Sequence, residues 1–115
     1  MVCGKDTVSS EYLVVLCTCP DDATATRISR DLVESRLAAC VNRVPGVRSV
    51  YRWEGNLEDQ SEVLLLIKTR LACYAELEVR LGTLHPYEVP EIIALPVVAG
   101  SESYLGWLTR ETSSS

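Results

Sequence analysis

One stretch of this chain concentrates groups able to do chemistry: His85-Pro86-Tyr87-Glu88-Val89-Pro90-Glu91 holds the only histidine, a phenol and two carboxylates around two prolines. Imidazole and carboxylate serve as metal ligands and as proton carriers. Each proline fixes its own φ and pushes the residue before it away from helical geometry, so the segment enters the next element stiff and extended. Its polar groups are therefore held in place, as a ligand site requires, although a plain turn would use the same residues. Farther upstream, Cys17-Thr18-Cys19 sets two thiols two residues apart. On a regular strand both face one side, where they can chelate a soft ion or simply fill space as small apolar residues. Cys40 and Cys73 have no visible partner and read as packing residues.

Composition narrows the partners these groups can serve. The chain has 115 residues, 47% hydrophobic and 23% charged, the profile of one globular domain with a real core. A net charge of −5 and the lack of a basic cluster disfavour nucleic acid and anionic membrane surfaces and favour a cation or a protein surface. The apolar runs are too short to cross a bilayer, and the first residues lack the charged-then-apolar design of a signal peptide. Five cysteines without C-x-x-C spacing argue against a disulfide framework and for reduced thiols, hence a cytoplasmic location.

The elements that must position these groups follow from periodicity. Glu11 to Cys19 is a nearly continuous apolar run that suits a central strand buried on both faces. Asp21 or Asp22 then caps a helix with Ile28, Leu32, Val33, Leu37 and Cys40 on its buried stripe. Val41 to Trp53 alternates as a strand with a bend or bulge at Pro45-Gly46, Glu54-Gly55-Asn56 supplies a hairpin turn, and Glu62 to Thr69 returns as an inner strand. Leu71, Tyr74, Leu77, Leu81 and Leu84 mark a second helix that Pro86 ends. Glu91 to Val98 forms a fourth strand that Pro96 confines to an edge or a strand end, and Gly100-Ser101 opens a short last helix with Tyr104, Leu105, Trp107 and Leu108.

This order predicts an α+β, ferredoxin-like βαββαβ fold: an antiparallel sheet with two helices on one face, plus a C-terminal helix. Residues 11–112 make the domain, with flexible segments at 1–10 and 113–115. The hairpin and its return strand carry more apolar surface than two helices can bury, and symmetric self-association is the natural remedy.

Five ordered motifs carry a resemblance: Cys17-Thr18-Cys19-Pro20-Asp21, Leu37-Ala38-Ala39-Cys40-Val41-Asn42, Tyr51-Arg52-Trp53-Glu54-Gly55, Ile67-Lys68-Thr69 and the His85 to Glu91 stretch. From about Tyr12 to Trp107 the chain resembles the CutA divalent-cation tolerance proteins. The resemblance implies a tight homotrimer, a role in tolerance to divalent metals, notably copper, and no established catalytic activity. It also implies an architectural kinship with the trimeric PII signalling proteins, which bind small effectors in clefts between subunits. Carried over by position, the copper ligands fall on Cys17, His85 and Glu91. Thiolate suits Cu(I), imidazole suits either copper state, and carboxylate suits Cu(II) or another divalent ion. Against that, Cys17 lies in a strand that reads as buried, and His85 can simply close the helix before it.

The resemblance places Trp53, Glu54, Lys68, Tyr87 and Glu88 in or near the intersubunit clefts. They form either a small-molecule pocket or an interface in which Trp53 and Tyr87 anchor and Glu54 pairs with Lys68, across the hairpin or between chains. Three functions of different class are thus in view. The first is a metal-binding tolerance protein, the second a trimeric effector sensor or interaction scaffold. The third is a cysteine hydrolase using Cys17, His85 and Glu91, for which no oxyanion hole is visible.

Overall fold

The apolar run after Glu11 becomes β1 (Tyr12–Cys19) at the centre of a four-stranded antiparallel sheet. The computed structural model describes residues 10–113, so the expected flexible ends at 1–10 and 113–115 fall almost wholly outside it. After β1 come α1 (Asp22–Glu34), β2 (Cys40–Trp53), β3 (Asn56–Arg70), α2 (Leu71–Leu84), β4 (Ile93–Pro96) and α3 (Glu102–Glu111). The sheet order is β2-β3-β1-β4, the ferredoxin-like arrangement that the sequence predicts.

Burial along β1 alternates instead of being continuous. Leu13, Val15, Cys17 and Cys19 point into the core, while Tyr12, Val14 and Leu16 stay half-buried. The expectation of two covered faces is corrected, because α1 and α2 pack on one face only. There Val15, Cys17, Leu65 and Ile67 of the sheet meet Ile28 and Leu32 of α1 and Leu77 and Leu81 of α2. On the opposite face the strand register lines up Val14 with Leu95 and Leu16 with Leu66 and Ile93, an apolar surface that this chain alone leaves open.

α1 starts where expected, with the Asp21 carboxylate accepting from the Thr24 amide at 2.8 Å. That hydrogen bond holds the Asp21 carboxyl below its ordinary range. The helix stops six residues short of Cys40. Arg36 takes a left-handed φ of 62°, its amide donates to Val33 O and the Leu37 amide to Leu32 O, a Schellman closure with arginine where glycine usually sits. Val33 is consequently 41% exposed rather than on the buried stripe. Cys40 opens β2 rather than closing the helix.

The hairpin follows its turn chemistry. Glu54 and Gly55 both have positive φ (50° and 84°), which matches the twist of the flanking strands. The register shifts between Val44 and Val47, at the Pro45-Gly46 bulge. β3 begins at Asn56, well before the expected Glu62, and the added length holds Val50 (63% exposed) and Leu57 (69%) away from the core. α2 buries Leu77 and Leu81 alone, leaving Leu71 exposed. β4 is only four residues long, an edge strand in which Pro96 lies opposite Leu13. The last helix is capped by Ser101, and it is tied to the sheet by Tyr12 Oη with Thr109 Oγ1 at 2.8 Å and by Arg70 Nε donating to Thr112 Oγ1 at 2.7 Å. Among the described residues no helix is long and apolar enough to cross a membrane.

Two stability outcomes follow from this packing, read as denaturant unfolding at fixed protein concentration. Leu65→Ala, at a fully buried site, should cost about 2–5 kcal/mol. Gly82→Ala, in a helix with open space around its Cβ position, should gain about 0.5–1 kcal/mol, whereas Gly55→Ala at φ +84° should lose about 1–2 kcal/mol.

Candidate functional site

β4 is too short to pair with all of β1, and the site is built where it stops. The backbone groups of Tyr12, Val14 and Leu16 serve the β4 side: Val97 donates to Tyr12 O, and Leu16 pairs with Ile93 at the last rung. Thr18 carries the next carbonyl on that side and has no strand opposite it. His85 takes the vacancy, with Nε2 2.7 Å from Thr18 O. Its own amide closes α2 by donating to Leu81 O at 2.9 Å, and the following prolines keep the chain extended. Because the Tyr87 amide donates to Nδ1 at 3.1 Å, Nε2 is the protonated nitrogen and donates to the carbonyl. Both imidazole nitrogens are thus engaged, and a metal would have to displace one of these hydrogen bonds.

The ligand atoms of His85, Cys17 and Cys19 lie within 4.8 Å of one another, all buried. The strand period puts both thiols on the helix-facing side, under the imidazole. Their acidities diverge. A hydrogen bond with Cys19, reinforced by burial, pushes the Cys17 thiol far up. The same hydrogen bond, aided by His85 and opposed by burial, brings Cys19 down. The two thiols thus titrate as a coupled pair, and the imidazole beside them favours charge on Cys19. Two sulfurs and a nitrogen form a soft set that fits Cu(I) or Zn(II) in chemistry, the proton on Cys17 and the bonds at His85 being what an ion must displace. Both cysteines are fully buried, so neither thiol is presented to a substrate as a hydrolase nucleophile must be.

Tyr87 links this cluster to a second region. Its ring lies 4.7 Å from the imidazole, tilted by 51°, and its hydroxyl donates to Glu62 Oε2 at 2.7 Å. Burial, then the Glu62 carboxylate, push the Tyr87 hydroxyl up, keeping it a donor. Glu62 is only 4% exposed and heads the apolar half of β3, on the sheet face away from α1 and α2. Around it opens a groove of about 700 Å³, walled by Tyr51 and Trp53 of β2 and by Tyr87, Glu88, Val89 and Glu91 of the loop.

The structure thus brings Cys17 and His85 together and adds Cys19 to them. Glu91 lies in the groove, outside that three-residue cluster, yet near enough for its charge to oppose a thiolate at Cys17. Trp53, Tyr87 and Glu88 share the groove, and Glu54 sits in the exposed hairpin turn beside it. Lys68 is elsewhere: it pairs in register with Cys40 and Val14 and donates to the Asn42 side chain. A Glu54–Lys68 pair across the hairpin is ruled out within one chain, because Lys68 lies twelve positions along the strand from the turn-flanking Asn56, about 40 Å. Two members went unnoticed in the sequence, Glu62 and the Thr18 carbonyl. The signal for Glu62 was available, as a lone carboxylate heading the run Val63-Leu64-Leu65-Leu66-Ile67.

Comparison with known proteins gives this geometry a context. The family model described as "CutA1 divalent ion tolerance protein" matches residues 13–111. The "Divalent-cation tolerance protein CutA" of Thermus thermophilus is 50% identical over 99 residues, covering 86% of this chain and 96% of its own length. Its namesake from Pectobacterium atrosepticum is 52% identical over 98 residues, covering 85% and 89%. Among solved structures, the Thermus thermophilus protein superposes with a TM-score of 0.86 at 49% identity, over 89% of this chain and 99% of that one. CutA from Xylella fastidiosa gives 0.88 at 45%, over 90% and 100%. Since the family match spans nearly the whole domain and the relatives agree with it in both sequence and fold, the chain belongs to the CutA1 divalent ion tolerance family.

Proposed function

We propose that this protein binds a metal ion, copper above others, and through that binding takes part in tolerance of divalent metals. The reading is carried by one observation, three soft ligand atoms from Cys17, Cys19 and His85 within 4.8 Å in a chain whose relatives are named for divalent-cation tolerance. Cys17 and His85 are its core ligands; Cys19 supplies the thiolate, and Glu91, at the edge of the groove, adds a carboxylate for a harder ion such as Cu(II). The buried, reduced state of these thiols suits a reducing compartment, and we place the protein in the cytoplasm on that ground.

The same reading takes the working form to be a homotrimer. Support comes from apolar surface that one chain leaves in water: Val50 and Leu57 on the hairpin, Ile93 and Leu95 on the edge strand. Light scattering coupled to gel filtration at micromolar concentration should return three times the 12.7 kDa chain mass, and a monomer would refute it.

The metal reading is checked by anaerobic competition for Cu(I) against a chromophoric chelator and by calorimetry with Cu(II). Cys17→Ser and Cys19→Ser, with folding verified by circular dichroism, should each weaken Cu(I) at least about tenfold, while Glu91→Gln should weaken Cu(II) more than Cu(I). Affinities unchanged in both cysteine variants and in His85→Ala would reject this site.

A further inference from the structure

The lone pair on His85 Nδ1 is already in use. It accepts the Tyr87 amide at 3.1 Å, while Nε2 donates to Thr18 O at 2.7 Å. A neutral imidazole has one N–H and one lone pair, and an imidazole that ligates a metal keeps its proton on the nitrogen the metal does not bind. If an ion takes Nδ1, it displaces the Tyr87 amide outright. If it takes Nε2, the proton moves to Nδ1, which then presents an N–H to the N–H of Tyr87. On either route Tyr87 loses its acceptor, and on the second Thr18 O loses its donor as well.

What Tyr87 anchors carries that loss beyond the cluster. Pro86 and Pro90 bracket it and keep the segment stiff, so an amide displaced from Nδ1 takes its ring and hydroxyl with it. The ring packs on the imidazole at 4.7 Å, and the hydroxyl holds the buried Glu62 carboxylate at 2.7 Å. Cys17 and Cys19 lie on the helix-facing side of the sheet and Glu62 on the other. Tyr87 joins the two sides where β4 stops. All of these contacts lie within one chain, so they do not depend on what a neighbouring copy covers.

We infer that metal capture at His85 releases the Tyr87 latch, so that the segment from Pro86 to Glu91 takes one position in the metal-free protein and another in the loaded one. The inference rests on the metal reading above and adds its regulation: the loop reports occupancy of a buried site. Coupling of this kind is reciprocal. A weaker latch lowers the cost of metal capture. Tyr87→Phe removes no ligand atom, yet it deletes the bond to Glu62 and therefore tightens the ion that Cys17→Ser and Cys19→Ser weaken.

Two measurements with Cu(I), made without oxygen on the full chain in the assembly it forms in solution, provide the test. Amide hydrogen exchange followed by NMR should find the Tyr87 N–H exchanging at least about tenfold faster in the loaded than in the metal-free protein, with the Val15 and Leu65 amides of the sheet no faster. In competition with a chromophoric chelator, Tyr87→Phe should bind Cu(I) about three- to tenfold tighter than the parent. If Cu(I) does not bind the parent, the metal reading and this inference fall together. If it binds while the Tyr87 amide exchanges no faster, or while a folded Tyr87→Phe binds no tighter than the parent, this inference alone is overturned. Should circular dichroism show that variant misfolded, the exchange measurement on the parent decides.

Discussion

The hydrogen bond from the His85 imidazole to the Thr18 carbonyl is the contact on which the rest of the site depends. A carbonyl near the end of a central strand, buried and left without a partner, costs on the order of 1–3 kcal/mol. β4 ends one rung too early to supply a donor. The imidazole supplies it, and by doing so fixes the start of the proline-braced loop against the sheet. Tyr87 is then held through its amide to the same ring, and its hydroxyl reaches Glu62. A short edge strand has thus been turned into an opening lined with polar groups, with the Thr18 carbonyl and the His85 and Tyr87 amides satisfied.

On the metal reading proposed above, His85 would have two competing duties. As the completing rung it needs Nε2 protonated and Nδ1 accepting, whereas as a ligand it must free a lone pair. Metal capture at the thiols would therefore loosen a structural contact, and the energy of the new bonds must exceed that loss. Tyr87 stands between this cluster and the acidic, aromatic groove, so two regions of contrasting chemistry are held by one side chain.

The long hairpin raises a different physical problem. β2 and β3 extend well past the part covered by helices, and their outer halves present Val50, Tyr51, Trp53 and Leu57 to solvent. The open sheet face adds Val14, Leu16, Ile93 and Leu95. Burial of such surface is the main favourable contribution available to a small domain, so a chain that leaves it open is suited to covering it with copies of itself.

Element type and order were legible in the sequence because they depend on neighbours a few residues away. The apolar run of β1, the Asp21 cap, the Pro45-Gly46 bulge and the Glu54-Gly55 turn are all local chemistry, and so are the five motifs that mark the family. The end of α1 was hidden because Arg36 adopts the left-handed conformation without the glycine that usually signals it, and the apolar residues beyond it continue a helical pattern. The meeting of Thr18 with His85 lies beyond any local signal, since 67 residues separate them. Their contact depends on how far β4 runs along β1, and the burial of Glu62 depends on where Tyr87 is carried by the same loop. The stiffness of the proline-braced segment and the kinds of ligand atom it carries follow from residues adjacent in the chain; which of those atoms meet does not, because strand register and the length of an edge strand are settled by packing across the whole sheet.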